Sequence, residues 1–254
     1  MLPKKRALRS DGSPAPDGWG AYLEVLRNKW DEVPAGKARL KTTDLELLDD
    51  ERLLETWTRA SKEASESREW YRTLYAPILK EKAVLDVGSG FGIDGIAFAQ
   101  KGTKMTFLDI AESNLRVLRR LCKLLDVQNV DFCYLQDEKS LERLGVFDVM
   151  WCQGSMICAP FEVAQGEARE LLKHLKPQGR WIELAYPKAR WEREGKLPFE
   201  KWGKKTDGWA PWIEWYDVEK LYRRLHPAKF RTVLNFEFHN HDFIWFDLAR
   251  AESL

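Results

Sequence analysis

Apolar residues recur at steps of three and four along the first third of the chain, and in short unbroken runs along most of the rest. Between residue 21 and about residue 75 the helical steps (Leu45, Leu47, Leu48, then Leu53, Leu54, Trp57) predict amphipathic helices, with Thr43 or Asp44 placed to cap. Residues 65–79 predict another helix, with Trp70, Tyr71, Leu74 and Tyr75 clustered. At Lys82 the texture changes. Residues 83–87, 104–110, 130–135, 147–152 and 180–186 are apolar runs of strand length, separated in part by helical stretches at 93–101, 112–125 and 162–175. Leu175-Lys176-Pro177-Gln178-Gly179 reads as the stop of the last of these helices. Strands alternating with helices predict an α/β fold, a doubly wound and mostly parallel sheet. After Tyr186 the alternation breaks into a polar, loop-like stretch holding Trp191, Trp202, Trp209, Trp212 and Trp215. A helix at 217–225 follows, then strands at 230–238 and 242–248 joined by His239-Asn240-His241. So short a joint makes an antiparallel C-terminal hairpin and brings the sheet to seven strands. The expected organisation is a flexible Pro/Gly/Ser-rich lead over 1–20, an N-terminal helical cap over 21–80, and an α/β domain over 81–254 with a Trp-rich lid insertion at about 187–216.

Charge and composition narrow the function. Lys+Arg 41 against Asp+Glu 40 leaves a net charge of +1, so no basic field points to nucleic acid. No apolar run reaches the roughly 18 residues that span a bilayer, and the basic start, Lys4-Lys5-Arg6, leads into no apolar signal segment. Cys122, Cys133, Cys152 and Cys158 lack metal-ligand spacing and sit in apolar stretches, which predicts reduced thiols, a cytoplasmic protein and no metal. The 12 tryptophans are an excess that asks for a use.

The most informative segment is Asp86-Val87-Gly88-Ser89-Gly90-Phe91-Gly92, between a predicted strand and a predicted helix. Its glycines let the backbone turn tightly and approach a ligand, beside the free N–H groups of a helix start. Asp109 ends the next strand, where an acid accepts hydrogen bonds from a ribose diol. The spacing is G-x-G-x-G, with Ile93 where the dinucleotide fingerprint has its third glycine, and Asp86 would oppose a pyrophosphate while suiting a cationic ligand. With Asp109, this stretch resembles the class I S-adenosylmethionine-dependent methyltransferases, over roughly residues 82–250. Leu175-Lys176-Pro177-Gln178-Gly179 is similar to that family's turn before the fifth strand, with Gln178 in place of a glycine.

The resemblance implies S-adenosyl-L-methionine as cofactor. Asp86, Gly88, Ser89, Gly90 and Gly92 would lie along its methionine portion, Asp109 at the ribose, Ile110 against the adenine, and Asp137 with Glu138 near the adenine amino group. Gln153 and Ser155, just after the fourth strand, would face donor or acceptor. An Arg or Tyr of the preceding helix (Arg68, Tyr71, Arg72) would reach the donor carboxylate. The strand ends carry the site in such sheets, so the hairpin joint offers His241 or His239 as a base or orienting group, against the alternative of a hydrogen-bonded turn. Trp212, Glu214, Trp215 and Tyr216 are candidates for an aromatic acceptor wall with one carboxylate, against the alternative of a satellite core that pins the loop, and Tyr186 is a further acceptor-binding candidate. The expected function is methyl transfer to a polar small-molecule acceptor, a sugar or natural-product hydroxyl. The alternatives are a small amine held by Glu183, Glu214 or Asp207, and an NAD-dependent oxidoreductase. Neither a nucleic-acid nor a membrane partner is expected, and the oligomeric state stays open.

Overall fold

The computed structural model describes residues 19–251, so most of the expected lead lies outside the described residues. Helix α1 (Trp19–Trp30) opens the described chain. Strands β1 (Glu32–Ala35) and β2 (Ala38–Lys41) then form a small antiparallel hairpin. Two further helices follow, α2 (Thr42–Glu46) and α3 (Asp50–Leu79), the latter capped by Asp49, which accepts from the Arg52 N–H at 2.8 Å. The N-terminal region is thus not all helix. Four-residue strands give only two alternations of polarity, too few to separate from a helix edge. Residues 50–79 are likewise one long helix, where the sequence suggested a break near residue 65.

The main sheet contains β3 (Ala83–Val87), β4 (Lys104–Asp109), β5 (Val130–Tyr134), β6 (Phe147–Gln153), β7 (Leu175–Ala185), β8 (Phe230–Phe238) and β9 (Phe243–Arg250), in the order β5-β4-β3-β6-β7-β9-β8. Strands β3 to β7 pair in parallel, and β9 runs antiparallel to both β7 and β8. Helices α4 (Ile93–Ala99), α5 (Glu112–Leu124) and α6 (Phe161–Leu172) connect the parallel strands. Strand residues alternate between two cores, as a sheet covered on both faces requires. Leu85, Val87, Met150 and Cys152 face one core, with Trp181 and Phe246; Val84, Val149 and Trp151 face the other, with Trp245.

The Leu175–Gly179 segment belongs to β7 rather than ending a helix, because α6 has already closed at Leu172. Pairing jumps from Phe147–Leu175 to Val149–Arg180, so the extra residues form an irregularity with Gln178 at a φ of 61°. The 187–216 stretch is also more ordered than its polarity suggests. It holds α7 (Lys188–Arg193) and α8 (Phe199–Thr206), both too short and too charged to show a period. Helix α9 (Val218–Leu225) follows, capped by Asp217.

Much of the tryptophan excess is core. Trp151, Trp181, Trp202 and Trp245 are fully buried. Trp151 packs its ring against Phe98 at 4.9 Å and Trp245 at 5.5 Å, and α3 adds Tyr71 and Tyr75 to the same cluster. Tyr75 Oη donates to Asp247 at 2.6 Å and accepts from Trp245 Nε1 at 3.1 Å, fastening α3 to β9. The four cysteines are free. Among the described residues no helix is long and apolar enough to cross a membrane, and no cluster could hold a metal ion.

Candidate functional site

Five residues, Gly88 to Gly92, carry the chain from β3 into α4. A side chain at Gly88 would place its Cβ 2.5 Å from Ser155 Cβ, and one at Gly92 would sit 2.1 Å from Leu118 Cδ2; both glycines have positive φ. Both are therefore fixed by packing as well as by backbone conformation. At Gly90 the nearest atom to such a Cβ is Pro34 Cδ at 3.8 Å, so that position leaves space.

Asp109 closes the other side of the loop. Its Oδ2 accepts from the Gly90 N–H at 2.9 Å, and its Oδ1 from the Ala111 N–H at 2.9 Å and Asn114 Nδ2 at 3.2 Å. Burial pushes this carboxyl up to about 6, against hydrogen bonds that pull it down. Asp86 is also buried, and its carboxyl accepts no hydrogen bond among the described residues. Burial first, then the nearby Asp94 and Asp109, push it well above the usual carboxylate range.

A cavity of about 320 Å³ lies at the carboxyl ends of β3, β4, β6 and β7. That volume is enough for a small ligand. Gly88, Gly90, Asp109, Ile110, Gln153, Ser155 and Tyr186 all line it, so the structure brings these sequence-derived candidates together. Phe243 of β9 joins them. Leu23, Leu26 and Trp30 of α1 cover the cavity, with Glu32, Pro34 and Arg39 of the hairpin and Arg68 of α3. Arg27 ties α1 down by donating to the Ile110 and Leu135 carbonyls at 3.2 and 2.8 Å. Arg39 pairs with Asp207, which fastens the hairpin to the end of α8.

Other candidates lie elsewhere. Asp86, Ser89 and Gly92 do not line the cavity; Ser89 Oγ donates to the Asp86 carbonyl at 2.9 Å. Asp137 caps the 3-10 helix Glu138–Arg143 by accepting from the Ser140 N–H at 3.0 Å, and Glu138 is exposed. Neither lines the cavity, because the chain leaves β5 through Leu135, which does. His239 and His241 are exposed in a turn whose three residues have positive φ. Their Nδ1 atoms face Asp242 at 3.4 Å and Glu237 at 2.7 Å rather than the cavity. Arg193 of α7 holds that turn through the Asn240 carbonyl at 2.8 Å. Trp212 Nε1 donates to Glu214 at 3.1 Å, and Trp215 lies 4.1 Å from Lys220 Nζ and bridges to Tyr186. Both pack the insertion onto the sheet outside the cavity lining. Arg72 and Tyr71 bind Asp94, at 2.7 and 2.8 Å, and so join α3 to α4.

Sequence reasoning missed the hairpin and Glu167 of α6, which also lines the cavity. The Leu23, Leu26, Trp30 spacing was a visible signal for α1; nothing marked Glu167 among the helix carboxylates. The polar lining suits a nucleoside. Gln153 Oε1 and Nε2 and Ser155 Oγ are buried without a partner, so a ligand with both donors and acceptors would satisfy them. Asp109 provides a carboxylate for a diol. The Asp109 carboxylate beside the loop disfavours a pyrophosphate.

Residues 84–179 match a family model described as a methyltransferase domain. Over 102 residues the chain is 32% identical to a ubiquinone biosynthesis O-methyltransferase of Acinetobacter baumannii, covering 40% of this chain and 42% of that protein. Over 75 residues it is 41% identical to the protein of the same name from Pseudomonas paraeruginosa, covering 29% and 32%. The chain thus spans less than half the length of these curated relatives. Among solved structures, magnesium protoporphyrin IX methyltransferase from Synechocystis PCC 6803, with bound SAH, shares the fold at a TM-score of 0.58 and 17% identity, over 90% of this chain and 99% of that one. A Burkholderia thailandensis 1,6-didemethyltoxoflavin-N1-methyltransferase does so at 0.58 and 17%, over 99% and 98%. Residues 84–179 thus match a methyltransferase domain, and sequence match and sheet order together support a class I S-adenosylmethionine-dependent methyltransferase.

Proposed function

We propose that this protein transfers a methyl group from S-adenosylmethionine to a hydroxyl of a small polar acceptor. The observation that carries the reading is one cavity bordered both by Gly88, Gly90 and Asp109 and by Ser155, Glu167, Tyr186 and Phe243. Bound there, S-adenosylmethionine supplies an electrophilic methyl on a sulfonium. The protein's part is position and dryness. Asp109 accepts from the ribose hydroxyls. Gly88 and Gly90 allow close backbone approach, and Gln153 and Ser155 satisfy their buried polar atoms on the ligands. Leu23 and Leu26 keep water from the nucleoside side, with Ile110 beneath.

The three acids that the sequence offered for holding an amine are engaged elsewhere, which removes that support for an amine acceptor. Glu183 is paired with Arg224, Glu214 with Lys220 and Asp207 with Arg39. The O-methyltransferase relatives support an oxygen acceptor. The test is a screen with labelled donor against catechols, simple phenols, sugars and amines. Label in ether products is expected; label confined to amines would overturn the hydroxyl assignment. Calorimetry with S-adenosylhomocysteine and with NAD tests the donor, and binding of NAD alone would refute it.

Asp109→Asn is expected to weaken S-adenosylhomocysteine binding by about 1–3 kcal/mol, since a buried diol loses its charged acceptor. The carboxylate form makes the better acceptor, and the free carboxyl titrates at about 6. Affinity in the unsubstituted protein should therefore rise as pH increases through 6, and Asp109→Asn should flatten that rise. Calorimetry between pH 5 and 8 reads both effects.

A further inference from the structure

Helix α6 turns Ala164, Ala168 and Leu171 into the core, and Glu167 lies on that inward stripe. A carboxyl so placed ordinarily finds a cation. Here Arg224, the cation that acts on it, and the cavity-lining cations Arg39, Arg68 and Lys37 are engaged by other groups; Arg68 faces Asp94 at 3.8 Å and Lys37 pairs with Glu66 at 3.2 Å. Arg224 of α9 donates to Glu183 of β7, and both are fully buried. Arg39 of β2 binds Asp207 and Glu32, and Lys29 of α1 binds Glu32 and the Gly208 carbonyl. Among the described residues Glu167 makes no ion pair and its carboxyl accepts no hydrogen bond. It lines the cavity instead, along with Ser155, Cys158 and Tyr186.

We propose that Glu167 is the acid–base group of the acceptor site, taking the proton that the acceptor hydroxyl loses as the methyl group arrives. This rests on the donor and hydroxyl reading given above. The hydroxyl oxygen forms the new O–C bond with a lone pair. The C–S bond breaks with its pair left on sulfur, which loses its positive charge. The O–H pair stays on oxygen, and the proton moves to a Glu167 carboxylate oxygen.

The surroundings suit that task. Burial pushes the Glu167 carboxyl up to about 7; Arg224 pulls it down and Glu183 pushes it up. A base that titrates near the working pH is half-ready and still strong enough to accept. The other titratable neighbours are less suited. Burial pushes the Cys158 thiol up to about 12, with Arg39 and Lys29 acting on it from β2 and α1, and burial also raises the Tyr186 phenol. Both stay protonated at neutral pH. Asp109 already accepts three hydrogen bonds from Gly90, Ala111 and Asn114, and the two hairpin histidines are exposed outside the cavity.

The test uses the whole protein with S-adenosylhomocysteine bound. Dicyclohexylcarbodiimide reacts with protonated carboxyls in apolar settings, and peptide mass mapping locates its adducts. Labelling at Glu167 is expected at pH 6, falling through pH 7 and by about tenfold per pH unit above it. Absence of label at pH 6 overturns the proposal, as does labelling that has already vanished below pH 5. For the acceptor that turns over fastest in the screen, Glu167→Gln should lower kcat by roughly 10²-fold and abolish the rise of kcat with pH through 7. The dissociation constant for S-adenosylhomocysteine should stay within about twofold, far below a tenfold change worth 1.4 kcal/mol. Wild-type kcat and pH profile in Glu167→Gln would overturn the assignment. Failure of the unsubstituted protein to bind S-adenosylhomocysteine would strike the donor reading itself; binding without labelled Glu167 would strike the base alone.

Discussion

Arg224→Met is expected to destabilise the protein by about 3–5 kcal/mol, read as a drop in the urea midpoint with little change in slope. Both Arg224 and Glu183 are fully buried, and their ion pair joins α9 to β7 near its carboxyl end. Removing the guanidinium strands a carboxylate in the core. Trp181 Nε1, which donates to Glu183 at 2.7 Å, cannot compensate a whole charge. The guanidinium also donates to the Met156 carbonyl at 3.3 Å and lies 4.5 Å from the centre of the Tyr216 ring. Arg224→Lys should therefore recover only part of the loss, because an ammonium lacks the planar fork. The double change Arg224→Met with Glu183→Leu should recover most of it, since no charge is left unpaired. Equal destabilisation by the single and double changes would show that packing, not the stranded charge, dominates.

That pair also explains why one part of the site was hidden from sequence reasoning and another was plain. The loop from Gly88 to Gly92 and the acid at Asp109 could be read because a strand–turn–helix unit keeps neighbours in sequence close in space. The hairpin order followed from the three-residue joint at His239–His241, since so short a connection leaves few topologies. Glu167 had no such local mark. It is one of several acids on an amphipathic helix, and it faces a cavity only once β7 and α9 have taken up their cation on Glu183. Asp137 shows the opposite error. Its place after β5 suggested the adenine, but a 3-10 helix needed a cap there and Asp137 provides it. The tryptophans were an anomaly whose use could not be read from position. Trp202 sits inside the supposed lid yet is fully buried, its Nε1 donating to Glu194 at 2.7 Å. The histidines lie at the expected end of the sheet, but a turn with three left-handed residues directs them to Asp242 and Glu237.

Gly88→Ala is expected to lower affinity for S-adenosylhomocysteine by roughly 10- to 100-fold, about 1.4–2.8 kcal/mol by calorimetry. Two costs combine in that number. An alanine at a φ of 71° is strained by about 1–2 kcal/mol in the left-handed region. Its Cβ would also meet Ser155 Cβ at 2.5 Å, forcing the segment after β6 away from the loop. That segment holds Gln153 and Ser155, whose unpartnered polar atoms are the ones a ligand would satisfy. Gly154→Ala separates the costs. Gly154 has a φ of 74° and nothing within 4 Å of an added Cβ, so alanine there carries the backbone strain without the collision. Its affinity loss should be the smaller of the two. Adding Ser155→Gly to Gly88→Ala removes the atom that collides and should restore part of the binding. Because Ser155→Gly also removes a ligand contact, it is measured alone as well; if Gly88→Ala costs as much in the Ser155→Gly background as in the unsubstituted protein, the left-handed backbone at Gly88 accounts for the loss, and the approach to Ser155 does not shape the donor site.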